Sequence, residues 1–128
     1  MRPGVRAWVD KAESDYRVAV RESRVRKLPS PDAVCFHAQQ CVEKYLKGAI
    51  RESGAAPPRS NDLTLLWSCL TGSSITTRPL PALGQLTVGA VEYRYPGRAA
   101  TAAQALRAVR LMIEVRGRCR AFLGLPIR

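Results

Sequence analysis

The segment CFHAQQCVEKYLKGAI, residues 35–50, decides how the chain is read. Turning by about 100° per residue, the angle of an α-helix, puts Cys35, Ala38, Val42, Tyr45, Leu46, Ala49 and Ile50 on one broad apolar arc. His37, Gln40, Lys44 and Lys47 fall together on the opposite side, Glu43 stands on the border, and Gln39 lies inside the apolar arc. This period is that of an amphipathic helix; a strand would turn successive residues to opposite faces. A glutamine within an apolar arc needs hydrogen-bond partners, so Gln39 is expected to tie this helix to another element. The polar stripe taken alone is the ordinary solvated face of such a helix.

Upstream, Ser30 is a natural N-cap and Pro31 a natural first helical residue, so the helix is expected over about residues 31–52, stopping at Gly54. Before LPSPD, the residues Val5, Trp8, Val9, Ala12, Tyr16, Ala19, Val20 and Ser23 recur at threes and fours, with Asp10, Glu13, Asp15, Arg17 and Arg21 between them, which predicts a first helix. Downstream, GAAPPRSN reads as a loop, Leu63 to Leu70 as a short helix, TGSSITTRP as a loop, and Leu83, Leu86 and Ala90 as a helix running to about Tyr93. YRYPGRAA breaks the pattern at Pro96 and Gly97, and Thr101 with Gln104 forms a capping box that opens a last helix to about Phe122. Strand signals are almost absent. The expected fold is all-α, an antiparallel up-and-down helical bundle of about five helices, residues 1–128 forming a single domain. Its core should include Trp8, Tyr16, Phe36, Val42, Leu46, Leu66, Leu83, Met112 and Cys119.

There is no run of eighteen apolar residues and no leader pattern at the N-terminus, so neither a membrane span nor a secretory signal is expected, and the reading is cytoplasmic. Cys35, Cys41, Cys69 and Cys119 stand in apolar contexts without a CxxC pair, and one histidine does not complete a zinc site with such scattered thiols. They are expected to be reduced core residues, with no metal and no cofactor. Lys and Arg number 21 against 10 Asp and Glu, and from Arg94 onward eight arginines face Glu114 alone. That excess favours an anionic partner, because positive potential steers and holds phosphates. Within it Arg116 is a puzzle: it falls in the apolar arc of Ala105, Val109, Met112 and Cys119, so either the helix frays after Gly117 or Arg116 finds a partner across an interface.

FHAQQCVEKYLKGAI, preceded by WVDKAESDYRVA and followed by a Gly/Pro loop, a DLTLL turn and YRYPG, resembles the HEPN (higher eukaryotes and prokaryotes nucleotide-binding) family from about Trp8 to Phe122. The resemblance implies a bundle of about five helices, frequently a homodimer, often encoded beside a minimal nucleotidyltransferase. Many members are ribonucleases in toxin–antitoxin, defence or RNA-processing systems. Nuclease members resemble one another in an Arg followed after four to six residues by His near the start of the last helix. Here Arg94 is followed by Ala99, Ala100 and Thr101 in that window, and His37 is preceded by Ser30, Pro31 and Asp32. Asn61 also stands where a His often precedes the DL turn. Without an imidazole near Arg94 the usual general base for a 2′-hydroxyl is missing, while arginine still stabilises phosphate charge.

These observations lead to a non-catalytic module binding nucleotide or RNA phosphates and paired with a nucleotidyltransferase. The expected binding residues are Arg94, Arg98 and Arg107, with Tyr93 or Tyr95 stacking on a base, and with His37, Gln40, Lys44 and Lys47 on the same groove where the second and last helices adjoin. No catalytic residue is assigned. The alternative is a metal-independent RNase toxin with a non-standard site drawing on His37, Lys44 and Arg94. A homodimer is expected with the last helix near its axis, Arg116 and Arg120 pairing with Glu of the partner subunit.

Overall fold

The computed structural model describes residues 1–128 as five α-helices with no strand: α1 (Val5–Ser23), α2 (Pro31–Glu52), α3 (Leu63–Ser68), α4 (Leu83–Glu92) and α5 (Ala102–Phe122). The local signals act where the sequence places them. Ser30 Oγ accepts from Ala33 N at 3.2 Å with Pro31 as the first helical residue. Asp62 Oδ1 accepts from Thr64 N and Leu65 N to start α3. Thr101 and Gln104 close a reciprocal capping box at α5. Each cap satisfies amide donors that the first turn of a helix leaves without partners, contributing about 1 kcal/mol. Beyond Glu52 the chain turns at Gly54, whose φ of 99° is open to glycine and costly for other residues. TGSSITTRP is not wholly loop: Ser74–Thr76 form a 3-10 turn that buries Ile75.

Long α1, α2 and α5 form the body. Trp8 lies against Lys47 and Gly48 while Asp15 meets Lys44 and His37, so α1 and α2 run antiparallel. They pack so closely that a Cβ on Gly48 would sit 3.2 Å from Trp8 Cβ. Asp32 meets Ala100 at one end of the bundle and Tyr45 meets Arg120 at the other, so α5 lies beside α2 in the same direction and runs antiparallel to α1. Leu63 N donates to Thr87 Oγ1, joining α3 to α4 on the remaining side of α2.

One apolar cluster takes residues from every helix, with Val9, Tyr45, Leu46, Ile50, Leu66, Ile75, Met112 and Val115 among its best-buried members. Burial of each such side chain contributes roughly 1.5–3 kcal/mol. Val42, Leu46, Leu66, Leu83, Met112 and Cys119 are buried as the periodicity predicts, whereas Trp8, Tyr16 and Phe36 are only partly buried. Those three rings lie beside cations instead, Lys47, Arg116 and Arg94 respectively. Cys69 corrects the thiol expectation: it is exposed at the end of α3, and only Cys35, Cys41 and Cys119 are in the core. No helix is long and apolar enough to cross a membrane.

Candidate functional site

Between Glu92 and Thr101 the chain leaves α4 through a tight run of turns. Tyr95 N donates to Glu92 O, Arg98 N donates to Tyr95 O, and Gly97 supplies the positive φ of 85°. Asp32 Oδ1, in the first turn of α2, accepts from Ala100 N at 2.6 Å and anchors the far end of the bend. On this bend and the second turn of α5 stand Arg94, Arg98 and Arg107, all exposed. None is neutralised by a carboxylate, since the arginine ion pairs are made by Arg6, Arg78, Arg116, Arg118 and Arg120. The Arg94 guanidinium lies 5.8 Å from the centre of the Phe36 ring, which holds it at the surface of α2. Tyr95 projects into solvent at 65% exposure, while Tyr93 is half-buried and, with Arg107, lines a pocket between α2, α4 and α5. Burial raises the Tyr93 phenol, Cys35, Glu92 and Asp32 act in the same sense, and Arg107 opposes them.

The other four expected residues turn toward α1 or bond within α2. Asp15 lies in the α1–α2 seam, its Oδ1 2.8 Å from His37 Nδ1 and its Oδ2 2.5 Å from Lys44 Nζ. A carboxylate only accepts, so His37 Nδ1 carries the donated proton and Nε2 is left as the second ring position. Lys47 departs most from a solvated stripe. It is 9% exposed, donates to Glu43 Oε2 at 3.0 Å, and covers the Trp8 ring at 5.6 Å. Stacking against the first helix covers the face that α2 alone would show to water. Gln40 donates to Gln39, and Gln39 donates to Glu43 and to the Asn61 carbonyl, so it ties α2 to the start of α3 as its place in the apolar arc requires. Phe36 joins the two groups: its ring meets His37 edge-on at 5.2 Å and lies under Arg94.

Arg116 is resolved within the chain, which overturns its expected pairing with a partner subunit. Its Nε and Nη2 donate to the two oxygens of Glu13 at 2.7 and 2.9 Å, and its guanidinium lies 4.1 Å from the Tyr16 ring centre. Arg120 Nη1 stands 3.7 Å from Glu13 as well and donates to the Tyr45 hydroxyl, which itself donates to Glu13. The helix does not fray after Gly117, because α5 continues to Phe122. Burial alone would raise the Glu13 carboxyl, but hydrogen bonds from Arg116 and Tyr45 and the two guanidinium charges outweigh it and hold the group below the ordinary carboxylate value. Burial and the hydrogen bond to Glu13 push the Tyr45 phenol upward.

The HEPN domain family model matches residues 5–122 of the chain. The chain belongs to the HEPN family. No curated protein and no solved structure matches it. Arg94 lies over the Phe36 ring, and the one histidine of the chain, His37, is held by Asp15. Three residues at these sites escaped the sequence reading. The sequence pattern puts Asp15 and Glu13 among the polar positions of α1 and Phe36 in the core. Asp15 carried a signal, since it shares a stripe with Ala12 and Ala19, which are both buried. An acid in an apolar stripe calls for a basic partner on the facing helix.

Proposed function

We propose that this HEPN chain is a non-catalytic module that binds the phosphates of RNA or of a nucleotide through Arg94, Arg98 and Arg107. The observation that carries the reading is the set of three exposed guanidiniums without a carboxylate partner, spaced along one bend and the helix after it. Uncompensated arginines attract phosphate oxygens and present paired donors to them. Tyr95, exposed beside Arg94, supplies a ring face on which a base can stack. A minimal nucleotidyltransferase partner, a homodimer, a role in toxin–antitoxin or defence pairs and a cytoplasmic setting belong to this proposal through the family. His37 and Lys44 meet Asp15 of α1, Lys47 covers Trp8 of α1, and Gln40 bonds Gln39 within α2; of these, His37 is joined to Arg94 through Phe36.

The test is fluorescence anisotropy of labelled RNA and of labelled nucleotides at two salt concentrations. Replacing Arg94 and Arg98 with Ala is expected to weaken binding by roughly 1–3 kcal/mol in total while the helical circular dichroism is unchanged. Absence of salt-dependent binding to any phosphate ligand would refute the proposal. A second reading, a metal-independent RNase, draws on one observation: Asp15 holds His37 and Lys44 side by side with His37 Nε2 unused. RNA cleavage on a gel, abolished by His37→Ala, would establish it in place of the first.

A further inference from the structure

Between α4 and α5, with Cys35 of α2 as its floor, lies a pocket of about 190 Å³. A dry cavity of roughly 150 Å³ is enough to take a benzene ring. Its walls divide by chemistry. Leu86, Ala108 and Leu111 are apolar. Burial pushes the Cys35 thiol up to about 11, so it is uncharged at neutral pH and adds to that apolar surface. The Tyr93 ring closes one side because residue 89 is glycine: a Cβ there would lie 2.9 Å from Tyr93 Cε2.

The remaining lining groups offer mainly donors, and these are unused. Arg107 takes part in no ion pair or hydrogen bond with its own chain, and the Tyr93 hydroxyl and the Gln85 amide are likewise free. Gln104 spends its Oε1 on Thr101 N at 2.8 Å, which leaves its Nε2 to donate. An apolar slot edged by a cation and spare donors is complementary to a ligand that is flat and apolar at one end and acidic at the other. A bare phosphate would leave the slot empty, and a neutral ring would leave Arg107 unpaired.

We infer that this pocket binds a small aromatic acid, a carboxylate or a phosphate monoester, whose ring enters between Leu86 and Ala108 and whose acid group meets Arg107. The inference shares Arg107 with the phosphate-binding reading and goes beyond it, since the ring site asks for a body that a phosphate backbone lacks.

Isothermal titration of the full chain with phenyl phosphate, benzoate, benzyl alcohol and inorganic phosphate tests it, the first two arms distinguishing the phosphate from the carboxylate. Ring burial should make phenyl phosphate bind about tenfold or more tighter than inorganic phosphate. Benzyl alcohol, which lacks the charge, should bind more weakly than benzoate. Ala108→Leu, which fills the slot, should erase the advantage of the ring yet keep RNA anisotropy at the wild-type value; Gly89→Ala, which displaces Tyr93, should reduce the same advantage and serves if Ala108→Leu does not fold. Arg107→Ala should equalise benzoate and benzyl alcohol. Equal binding of phenyl phosphate and inorganic phosphate by the wild-type chain overturns the inference whatever the RNA result. Loss of RNA binding in a folded Ala108→Leu variant also overturns it, because slot and arginine surface would then be one site.

Discussion

Replacing Glu13 with Gln keeps the shape of the side chain and removes its charge beneath two guanidiniums. Arg116 is 6% exposed and donates twice to Glu13, at 2.7 and 2.9 Å, while Arg120 lies 3.7 Å away. A hydrogen bond to a charged partner contributes roughly 1.5–3 kcal/mol, and stranding a buried charge by removing its partner costs about 3–5 kcal/mol. Two features reduce the second figure here: the Glu13 side chain is 20% exposed, so water reaches the pair, and Gln still accepts one hydrogen bond. The expected loss is about 2–3 kcal/mol, a large share of the roughly 5–15 kcal/mol that stabilises a typical domain. Urea unfolding followed by helical circular dichroism measures it. Arg116→Met alone should cost a similar amount through the two Glu13 bonds and the Tyr16 contact. The double variant should cost about 2 kcal/mol less than the sum of the singles, the coupling expected of a contacting pair. A loss below about 0.5 kcal/mol for Glu13→Gln, or strictly additive singles, would show that the pair is no more than a screened surface bridge.

Two further outcomes follow from the same chemistry. Because the Glu13 carboxyl is held below its reference value of 4.5, it stabilises the fold above that pH and its contribution is lost as pH falls through the lower folded value. The urea midpoint of the wild-type chain should therefore drop in acid, and Glu13→Gln should flatten part of that drop; identical acid profiles would contradict the assignment. Cys69 is exposed whereas burial pushes Cys35 to about 11 and Cys119 to about 12 and raises Cys41 as well, so a thiol reagent near neutral pH should label one cysteine rapidly in the native chain. Cys69→Ser should remove that phase, and two or more thiols reacting at one fast rate would refute the burial pattern.

The fold was legible where causes are local. Ser30 with Pro31 and Thr101 with Gln104 are each complete within four residues, and the arc from Cys35 to Ile50 repeats at the period of one helix. The ionic framework was not legible in the same way, because its partners are brought together only by packing. Glu13 meets Arg116 across 103 residues, and Asp15 meets Lys44 across 29. Angular stepping shows that Arg116 points inward but not what it meets. It likewise showed Lys47 pointing away from the apolar arc, whereas α1 covers that side. For the candidate site, the bend and its arginines were readable from YRYPGR and its charge. The pocket was not, because Gly89, Gln85 and Gln104 become its walls only when α4 folds beside α5. Ile75 is a smaller case: Ser and Thr around it read as loop, and burial of one isoleucine makes the loop a turn.

The bond from Ala100 N to Asp32 has a consequence for how occupancy of the bend can be observed. Ala100 is buried and two residues from Arg98, and its amide proton is held by a carboxylate on another helix rather than by its own turn. Any ligand that draws Arg98 outward pulls on that one bond, and any ligand that settles the bend tightens it. The exchange rate of this single amide with solvent is therefore a reporter built into the backbone, read in minutes to hours by deuterium exchange without a label near the arginines.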